Sequence, residues 1–394
     1  MISILQALTL ITQNRQAPKV ETVSLTQALG RTLASDIAAR LTQPPLDSSA
    51  MDGYAVKLDD IQSTGTQLKV IGEAPAGAPF MDPVNQGEAV RIFTGGAVPK
   101  GADTIIIQEN VKADGTKITI LEPQSSKRHI RRKGLDFNQG DILIKSGTTL
   151  GPAEIAVAAA SGHAQINVSQ KLSVAILSGG DELISPGDMP KPGQIINSNP
   201  FALAALIESW GHEAVILPTA KDTIDSILAR IKSANASDVI IPVGGASVGD
   251  HDHMRRAFKA AGLEVIFEKV AVRPGKPTWF GTLKGKPVLG LPGNPASALV
   301  CAQLFAKLLL TGNAPQNVTC RLSEDSRANG PRESYQRAVV SSIEGTLYVK
   351  PLPIQDSGLI TPFLSANGLL RLPANCPALT AEDLAEVLLI NPLI

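Results

Sequence analysis

The chain has 394 residues, too many for one hydrophobic core, so two to four domains are expected. Lysine plus arginine and aspartate plus glutamate are equal at 36 each, and only 4% of residues are aromatic; such a chain lacks the basic field and stacking surface that nucleic-acid binding uses. No apolar run is long enough to span a bilayer, and the three widely spaced cysteines, Cys301, Cys320 and Cys376, form neither a disulfide frame nor a zinc pattern, as expected in the cytoplasm.

In chain order, Ile4, Leu8 and Ile11 follow helical spacing and predict an amphipathic N-terminal helix, not a signal peptide. Ser24 with Gln27 has the form of a capping box and predicts a second helix, with Leu25, Ala28, Leu29 and Leu33 on its apolar face. Pro44 and Pro45 stop it. Asp47, Ser48, Ser49, Asp52 and Gly53 then make a turn-rich polar patch, a structural loop in its plain reading and a functional surface loop in its second. Short β-like runs, Gln67–Ile71, Val90–Phe93, Thr104–Ile107 and Lys117–Ile120, predict a small β domain containing a glycine turn at Phe93–Pro99. Lys127–Lys133 is a dense basic run, either a solvated face or an anion-contacting loop. Pro152 opens an alanine-rich helix within Gly151–Gly162.

From Ser173 to Leu310 strands and helices alternate. Strands are predicted at Val174–Leu177, Val215–Leu217, Val239–Val243, Val265–Val270 and Pro287–Leu291. Helices are predicted at Pro200–Trp210, Thr223–Ser233, His251–Ala261 and, with Asn294 as N-cap, Pro295–Leu310. This rhythm implies a three-layer α/β domain with a parallel or mixed sheet, whose ligands bind beyond the carboxyl ends of the strands. Short strands at Arg337–Val340, Leu347–Lys350, Leu369–Leu372 and Ala385–Ile390 predict a C-terminal β domain, barrel or sandwich. The expected division is an N-terminal helical domain of residues 1–43 with 132–168, an inserted β domain of 44–131, the α/β domain of 169–312 and the C-terminal β domain of 313–394.

Four polar clusters follow predicted strands: Ser178–Leu183, Gly244–Asp250, Arg273–Pro277 and Leu291–Ser297. In the second, a buried strand, a loop holding Gly244, Gly245, Ser247 and Gly249, and a helix form an anion-binding arrangement, because glycines let backbone N–H groups approach a phosphate. Asp250 and Asp252 would repel that phosphate unless a cation, usually Mg²⁺, lay between them. The plain alternative is a strand-to-helix turn with solvated acids. There is no Walker loop, and a zinc site at His251 and His253 lacks further ligands nearby. The residues alone support a phosphorylated ligand with a divalent cation and a second anion.

Pro44–Val56, Gly180–Leu183, Gly244–Asp250, Pro274–Pro277 and Leu291–Pro295 together resemble, in order and over nearly the whole chain, the motifs of the molybdopterin molybdenumtransferase family, MoeA in bacteria and the E domain of gephyrin in animals. The resemblance implies insertion of molybdate into adenylylated molybdopterin with Mg²⁺-dependent release of AMP, in an elongated, multidomain, cytoplasmic homodimer. It implies that Asp250, Asp181 and Glu182 hold Mg²⁺ or orient water, that Gly244, Gly245, Ser247 and Gly249 cradle phosphate, and that Lys276, Ser297 and Arg337 meet the molybdate oxyanion. Arg273, Pro292 and Asn294 fall in the same motifs, and Asp47, Ser49, Asp52 and Thr94 are expected to face the partner's cleft. The upstream molybdopterin adenylyltransferase and acceptor molybdoenzymes are implied partners; nucleic acid and membrane are not. Departures are Arg273 where the family usually has lysine, Gly179 for Ser or Thr, Asn197 for aspartate, and Thr361–Pro362 for a serine pair. The alternatives are a non-catalytic dimeric scaffold that binds the cofactor precursor and a related nucleotide or pterin pyrophosphatase.

Overall fold

The computed structural model describes residues 1–244 and 253–391. It divides into two compact units, Met1–Pro18 with Lys171–Ile394, and Lys19–Gln170.

Among the described residues, the first unit is built on a six-stranded sheet. Its order is Glu213–Ile216, Ser173–Ser178, Val239–Val243, Lys286–Gly290, Trp279–Leu283, Leu263–Phe267. Every strand runs parallel except Trp279–Leu283, which is antiparallel to both neighbours. The sheet is therefore mixed, and the carboxyl end of Leu263–Phe267 still opens on the same rim as the parallel strands. Sequence reasoning passes over Trp279–Leu283 because Gly281 looks like a breaker. A Cβ there would lie 2.3 Å from the Glu264 carbonyl oxygen, so the glycine is what allows close strand approach.

Side chains alternate across this sheet, as the two-residue strand period requires. Val174, Ile176 and Ile241 join a core with Leu203, Ile207 and Leu304. Ala175, Leu177 and Ile240 join another with Ile227, Ile231 and Phe258. The helices are Asn199–Ser209, Ile224–Ser233, His253–Ala260 and Pro295–Cys301, the last continuing through a π turn at Ala302–Ala306 into Lys307–Thr311. Gly312, at φ 80°, ends it in the left-handed conformation that terminates helices. The N-terminal helix Ile4–Gln13 is capped by Ser3 and puts Ile4, Ala7 and Ile11 into the first of these cores.

The C-terminal strands Glu333–Ile343, Thr346–Pro351, Asn317–Leu322, Leu384–Leu389 and Gly368–Leu372 pair in that order. Gly368–Leu372 pairs back to Glu333–Ile343 and closes a barrel. Val272–Arg273 adds in parallel to Glu333 and Ser334, stitching the α/β domain to the barrel beside the Arg273–Pro277 cluster.

The second unit holds a six-stranded sheet, in the order Thr104–Ile107, Gly53–Val56, Glu88–Ile92, Gln67–Ala74, Lys117–Ile120, Val111–Asp114. Pro152–Ala160 is helical, with proline at its start. The predicted helix after Ser24 does not form. Val20–Ser24 is a strand that pairs with Gln165–Ser169, and only a 3-10 turn, Leu25–Gln27, follows. The Ser24 hydroxyl donates to Gln27 Oε1 at 3.2 Å instead of capping, and Gly30 at φ 74° turns the chain away. β-Branched Val20, Thr22 and Val23 favour the strand, and five paired residues outweigh one cap. No helix among the described residues is long and apolar enough to cross a membrane.

Candidate functional site

The strands Ser173–Ser178, Val239–Val243 and Lys286–Gly290 lie side by side, so the loops leaving their carboxyl ends converge. Glycines carry the contact. Gly244 has φ 86°, and a Cβ on it would lie 3.5 Å from the Gly179 carbonyl oxygen and 4.0 Å from Gly293 Cα. A Cβ on Gly293 would lie 3.3 Å from Gly244 Cα. Three loops thus meet backbone to backbone, which leaves their main-chain groups unscreened by side chains. Beneath them Ser178 is 2% exposed, and its hydroxyl has no hydrogen-bond partner among the described residues. Asn199 Nδ2 donates to the Gly293 carbonyl at 2.7 Å and ties the cradle to the next helix.

Next to this cradle, in the same unit, lies a cavity of about 890 Å³. The Arg273–Pro277 turn and the Pro292–Ser297 segment form one wall, and the barrel residues Arg327–Asn329, Arg332, Ser334–Arg337 and Gln355–Ser357 form the other. Among the described residues that line it, five are cationic, Arg273, Lys276, Arg327, Arg332 and Arg337, and one is acidic, Asp356. The turn that carries Lys276 is pressed onto the protein beneath it. Thr278 Oγ1 donates to the Gly275 carbonyl at 2.8 Å, and a Cβ on Gly275, at φ 120°, would lie 2.1 Å from Cys301 Sγ. Burial pushes the Cys301 thiol up to about 12, so it is an inert packing group.

The sequence places Asn294 as an N-cap. In the structure its side chain makes no capping bond; Asn294 Nδ2 donates to Ser357 Oγ at 2.9 Å. Ser297 is 5% exposed and lines the cavity, as does Pro292. Arg337 is 2% exposed and its guanidinium is bonded to protein acceptors on all three nitrogens. Burial pulls its pKa down, with Asp356 opposing the shift.

Asp181 and Glu182 are exposed beyond the Ser173–Ser178 strand and are not among the cavity's lining. Asp181 Oδ1 accepts the Asp222 amide at 3.2 Å. Asp181 follows the Ser173–Ser178 strand, and Lys276 lies between Leu263–Phe267 and Trp279–Leu283, the two strands at the far edge of the same sheet. Asp181 and Lys276 therefore leave the same rim of the sheet. Gly245, Ser247, Gly249, Asp250, His251 and Asp252 lie outside the described residues. Among the described residues no three potential metal-ligating side chains cluster.

Asp47, Ser49, Asp52 and Thr94 fall in the second unit. Their motif is a braced element. Ser49 exchanges backbone bonds with Gly95 and Gly96, both 2.9 Å, and Ser49 Oγ donates to the Met51 carbonyl at 2.5 Å. Asp52 Oδ1 accepts the Thr94 amide at 2.7 Å and its hydroxyl at 2.8 Å, and these bonds hold the carboxyl below its usual range. The Lys133 amide, at 2.8 Å, and then Arg132 do the same for Asp47. Arg91 is sandwiched 5.0 Å from both Tyr54 and Phe93 and donates to the Gly53 carbonyl, fixing the strand beside Asp52. Two cations of the basic run are thus paired, Arg132 with Asp47 and Lys127 with Asp103, the latter at 2.9 Å. Arg131 lines a separate cavity of about 540 Å³ with Pro44, Pro45 and Leu46.

Sequence reasoning missed Arg327, Asn329 and Arg332 because they sit in a turn with no local signature. Asn329 Nδ2 donates to the carbonyls of Arg332, Leu372 and Pro373, and so shapes that turn.

Comparison with known proteins accounts for nearly all of the chain. Residues 2–162 match the MoeA N-terminal region (domain I and II), residues 175–311 a probable molybdopterin binding domain, and residues 319–390 the MoeA C-terminal region (domain IV). A molybdopterin molybdenumtransferase of Staphylococcus aureus is 33% identical, with 98% of this chain and 95% of that protein aligned. The chain belongs to the MoeA family. A Haemophilus influenzae member, also a molybdopterin molybdenumtransferase, is 36% identical over 89% of this chain and 88% of its own. The crystal structure of a MoeA protein from Pyrococcus horikosii superposes with a TM-score of 0.84 at 32% identity and covers 100% of both chains. The closed C-terminal barrel and the molybdopterin-binding-type α/β domain are thus MoeA features, and the family is one of transferases.

Proposed function

We propose that this chain inserts molybdate into adenylylated molybdopterin, releasing AMP and leaving the molybdenum cofactor. The observation that carries the reading is the charge of the cavity: among the described residues that line it, five are cationic and one is acidic, in a chain of net charge zero, beside a glycine cradle. Molybdate is a tetrahedral dianion, and charge-assisted bonds from Lys276 and Arg273 with a hydroxyl from Ser297 suit it. Arg273 offers a planar fork where lysine would offer a point charge. Pro292 and Asn294 belong to the segment common to the cradle and the cavity, so a guest spanning both would pass over them.

In this reading Gly244, with Gly245, Ser247 and Gly249, takes the phosphates, and the Ser178 hydroxyl, which has no partner among the described residues, supplies a further donor below them. A buried polar atom without a partner costs about 1–3 kcal/mol, which a bound phosphate or water would recover. Adenylylated molybdopterin is an extended, two-headed molecule, which suits a site that runs from the cradle to the cavity.

Asp181 and Glu182 fit a magnesium site: both are exposed and offer only oxygen donors, and one bond from Asp222 leaves a carboxylate further lone pairs. With Asp250 they would hold Mg²⁺, which neutralises charge at the phosphoanhydride. The chain's own residues bind and orient: the cradle fixes the phosphates, Lys276 and Ser297 hold the oxyanion at the other end, and Asp250 orients the water that cleaves the phosphoanhydride. The same reading takes the protein as a cytoplasmic homodimer that presents Asp47, Ser49, Asp52 and Thr94 to the partner's cleft, receives its substrate from a molybdopterin adenylyltransferase and passes its product to acceptor molybdoenzymes.

Incubation with adenylylated molybdopterin tests this by chromatography of AMP. The expected result is AMP release that needs both molybdate and Mg²⁺. Release independent of molybdate would make the chain a pyrophosphatase, and binding without any release would make it a scaffold.

A further inference from the structure

Asp181 and Glu182 stand exposed on one turn. A Cβ on Gly180 would lie 2.7 and 2.8 Å from the two Glu182 carboxylate oxygens, so that carboxylate folds back over Gly180, beside Asp181. Two neighbouring carboxylates repel each other, and something must hold the turn that carries them.

Two segments do so. The first follows the Glu213–Ile216 strand. There the Ala220 carbonyl accepts the Gly180 amide at 3.2 Å, the Ala220 amide donates to the Ser178 carbonyl at 2.8 Å, and the Asp222 amide donates to Asp181 Oδ1 at 3.2 Å. The second is Ile195–Asn197. The Ile195 amide donates to the Glu182 carbonyl at 2.8 Å and the Asn197 amide to the Ile184 carbonyl at 2.9 Å, and Ile195–Ile196 pairs in parallel with Leu183–Ile184.

A side-chain bond joins the two segments to each other: Asn197 Nδ2 donates to Thr219 Oγ1 at 3.2 Å. Asn197 is 8% exposed, so the bond is sheltered from water, and its loss would leave a buried amide short of a partner. Thr219 is the neighbour of Ala220, which grips Gly180. A closed ring of bonds therefore runs from Gly180 through Ala220, Thr219 and Asn197 to Ile184, and back along the chain to Gly180. The residue type fits. An amide at 197 donates, so the Thr219 oxygen accepts; a carboxylate would take the Thr219 proton instead. The amide closes the ring without burying another negative charge behind Asp181 and Glu182.

We propose that Asn197 is a positioning residue, whose bond to Thr219 locks together the two segments that hold Gly180–Leu183 and so sets where the Asp181 and Glu182 carboxylates stand for a divalent cation. The proposal rests on the reading of those carboxylates as Mg²⁺ ligands. Neither Asn197 nor Thr219 touches metal or substrate in it.

The test pairs Mg²⁺ titration by calorimetry with hydrogen exchange of residues 180–184, on the full chain. Thr219→Val keeps the branched side chain and removes the hydroxyl. The expected result is about tenfold weaker Mg²⁺ binding and about tenfold faster exchange, the effect of one lost hydrogen bond. Thr219→Ser, which restores the hydroxyl, should return both to the values of the unmodified protein. Asn197→Leu should match Thr219→Val, and the double variant should bind no more weakly than either alone, because both substitutions break the same bond. AMP release by Thr219→Val should need about tenfold more Mg²⁺ with an unchanged KM for the adenylylated substrate, a split that general loosening of the cradle would not produce. Weaker Mg²⁺ binding with normal exchange, faster exchange with normal binding, or additive losses in the double variant would overturn the proposal. If Asn197→Leu does not fold, the two Thr219 variants decide alone. No Mg²⁺ binding by the unmodified protein would sink the magnesium reading itself, whereas binding that every variant retains would overturn the positioning role only.

Discussion

Lys276→Gln is expected to weaken molybdate binding and, at low molybdate, AMP release by roughly 10- to 150-fold, the equivalent of a charge-assisted hydrogen bond worth about 1.5–3 kcal/mol. The side chain is exposed at the cavity wall, so the substitution removes a charge from the proposed oxyanion site and no packing. The turn beneath it is held by Thr278 and Cys301 whatever residue stands at 276, so the melting temperature should not change. Titration at rising ionic strength separates the effects. Binding by the unmodified protein should fall steeply with salt, since several cations share the guest, and the variant should show a shallower slope. Equal affinity in both proteins would remove Lys276 from the oxyanion site.

The second large effect is on stability. Gly53 lies in the Gly53–Val56 strand, between Glu88–Ile92 and Thr104–Ile107. A Cβ there would sit 2.1 Å from the Ile106 carbonyl oxygen and 2.9 Å from its carbon. Both are backbone atoms of a paired strand and cannot swing aside as a side chain would. Gly53→Ala must therefore spread the sheet and lose ladder bonds, at a cost of about 3 kcal/mol, the upper end for overpacking. For a cooperative unit of this size that is a fall of roughly 6–12 °C in melting temperature, measurable by calorimetry. An unchanged melting temperature would mean that the strand spacing at Gly53 is wrong.

The Gly53 example also explains what could be read before the structure. The motif around it stands out as a dense polar turn, yet its bracing by Thr94, Lys133 and Arg91 comes from residues 42, 86 and 38 positions from their partners. Local patterns found Val239–Val243, Thr104–Ile107 and Lys117–Ile120 to the residue, because β-branched runs bounded by turns leave little choice. The same logic failed at Ser24, where a sound cap signal lost to pairing with a strand more than a hundred residues away. It failed at Trp279–Leu283, where a glycine needed for close approach looks like an interruption.

The site was legible in its parts and not in its layout. The clusters at Ser178–Leu183, Arg273–Pro277 and Leu291–Ser297 do meet one rim, since strand direction follows from the alternation of strands and helices. Strand order does not follow from that alternation, so which loops are neighbours along the rim could not be foreseen. Nor could the opposite wall. Arg327 and Arg332 come from a barrel turn, and the Gln355–Ser357 segment resembles an ordinary loop until it is seen to line the cavity.

A crystal soaked in molybdate, with the anomalous signal of the metal mapped, tests the central claim most directly. The expected result is one strong peak in the cavity between the α/β domain and the barrel, with oxygens within about 3 Å of Lys276 Nζ and Ser297 Oγ, and its disappearance from Lys276→Gln crystals. A peak that lies outside the cavity, or one that persists undiminished without the lysine, would contradict the account.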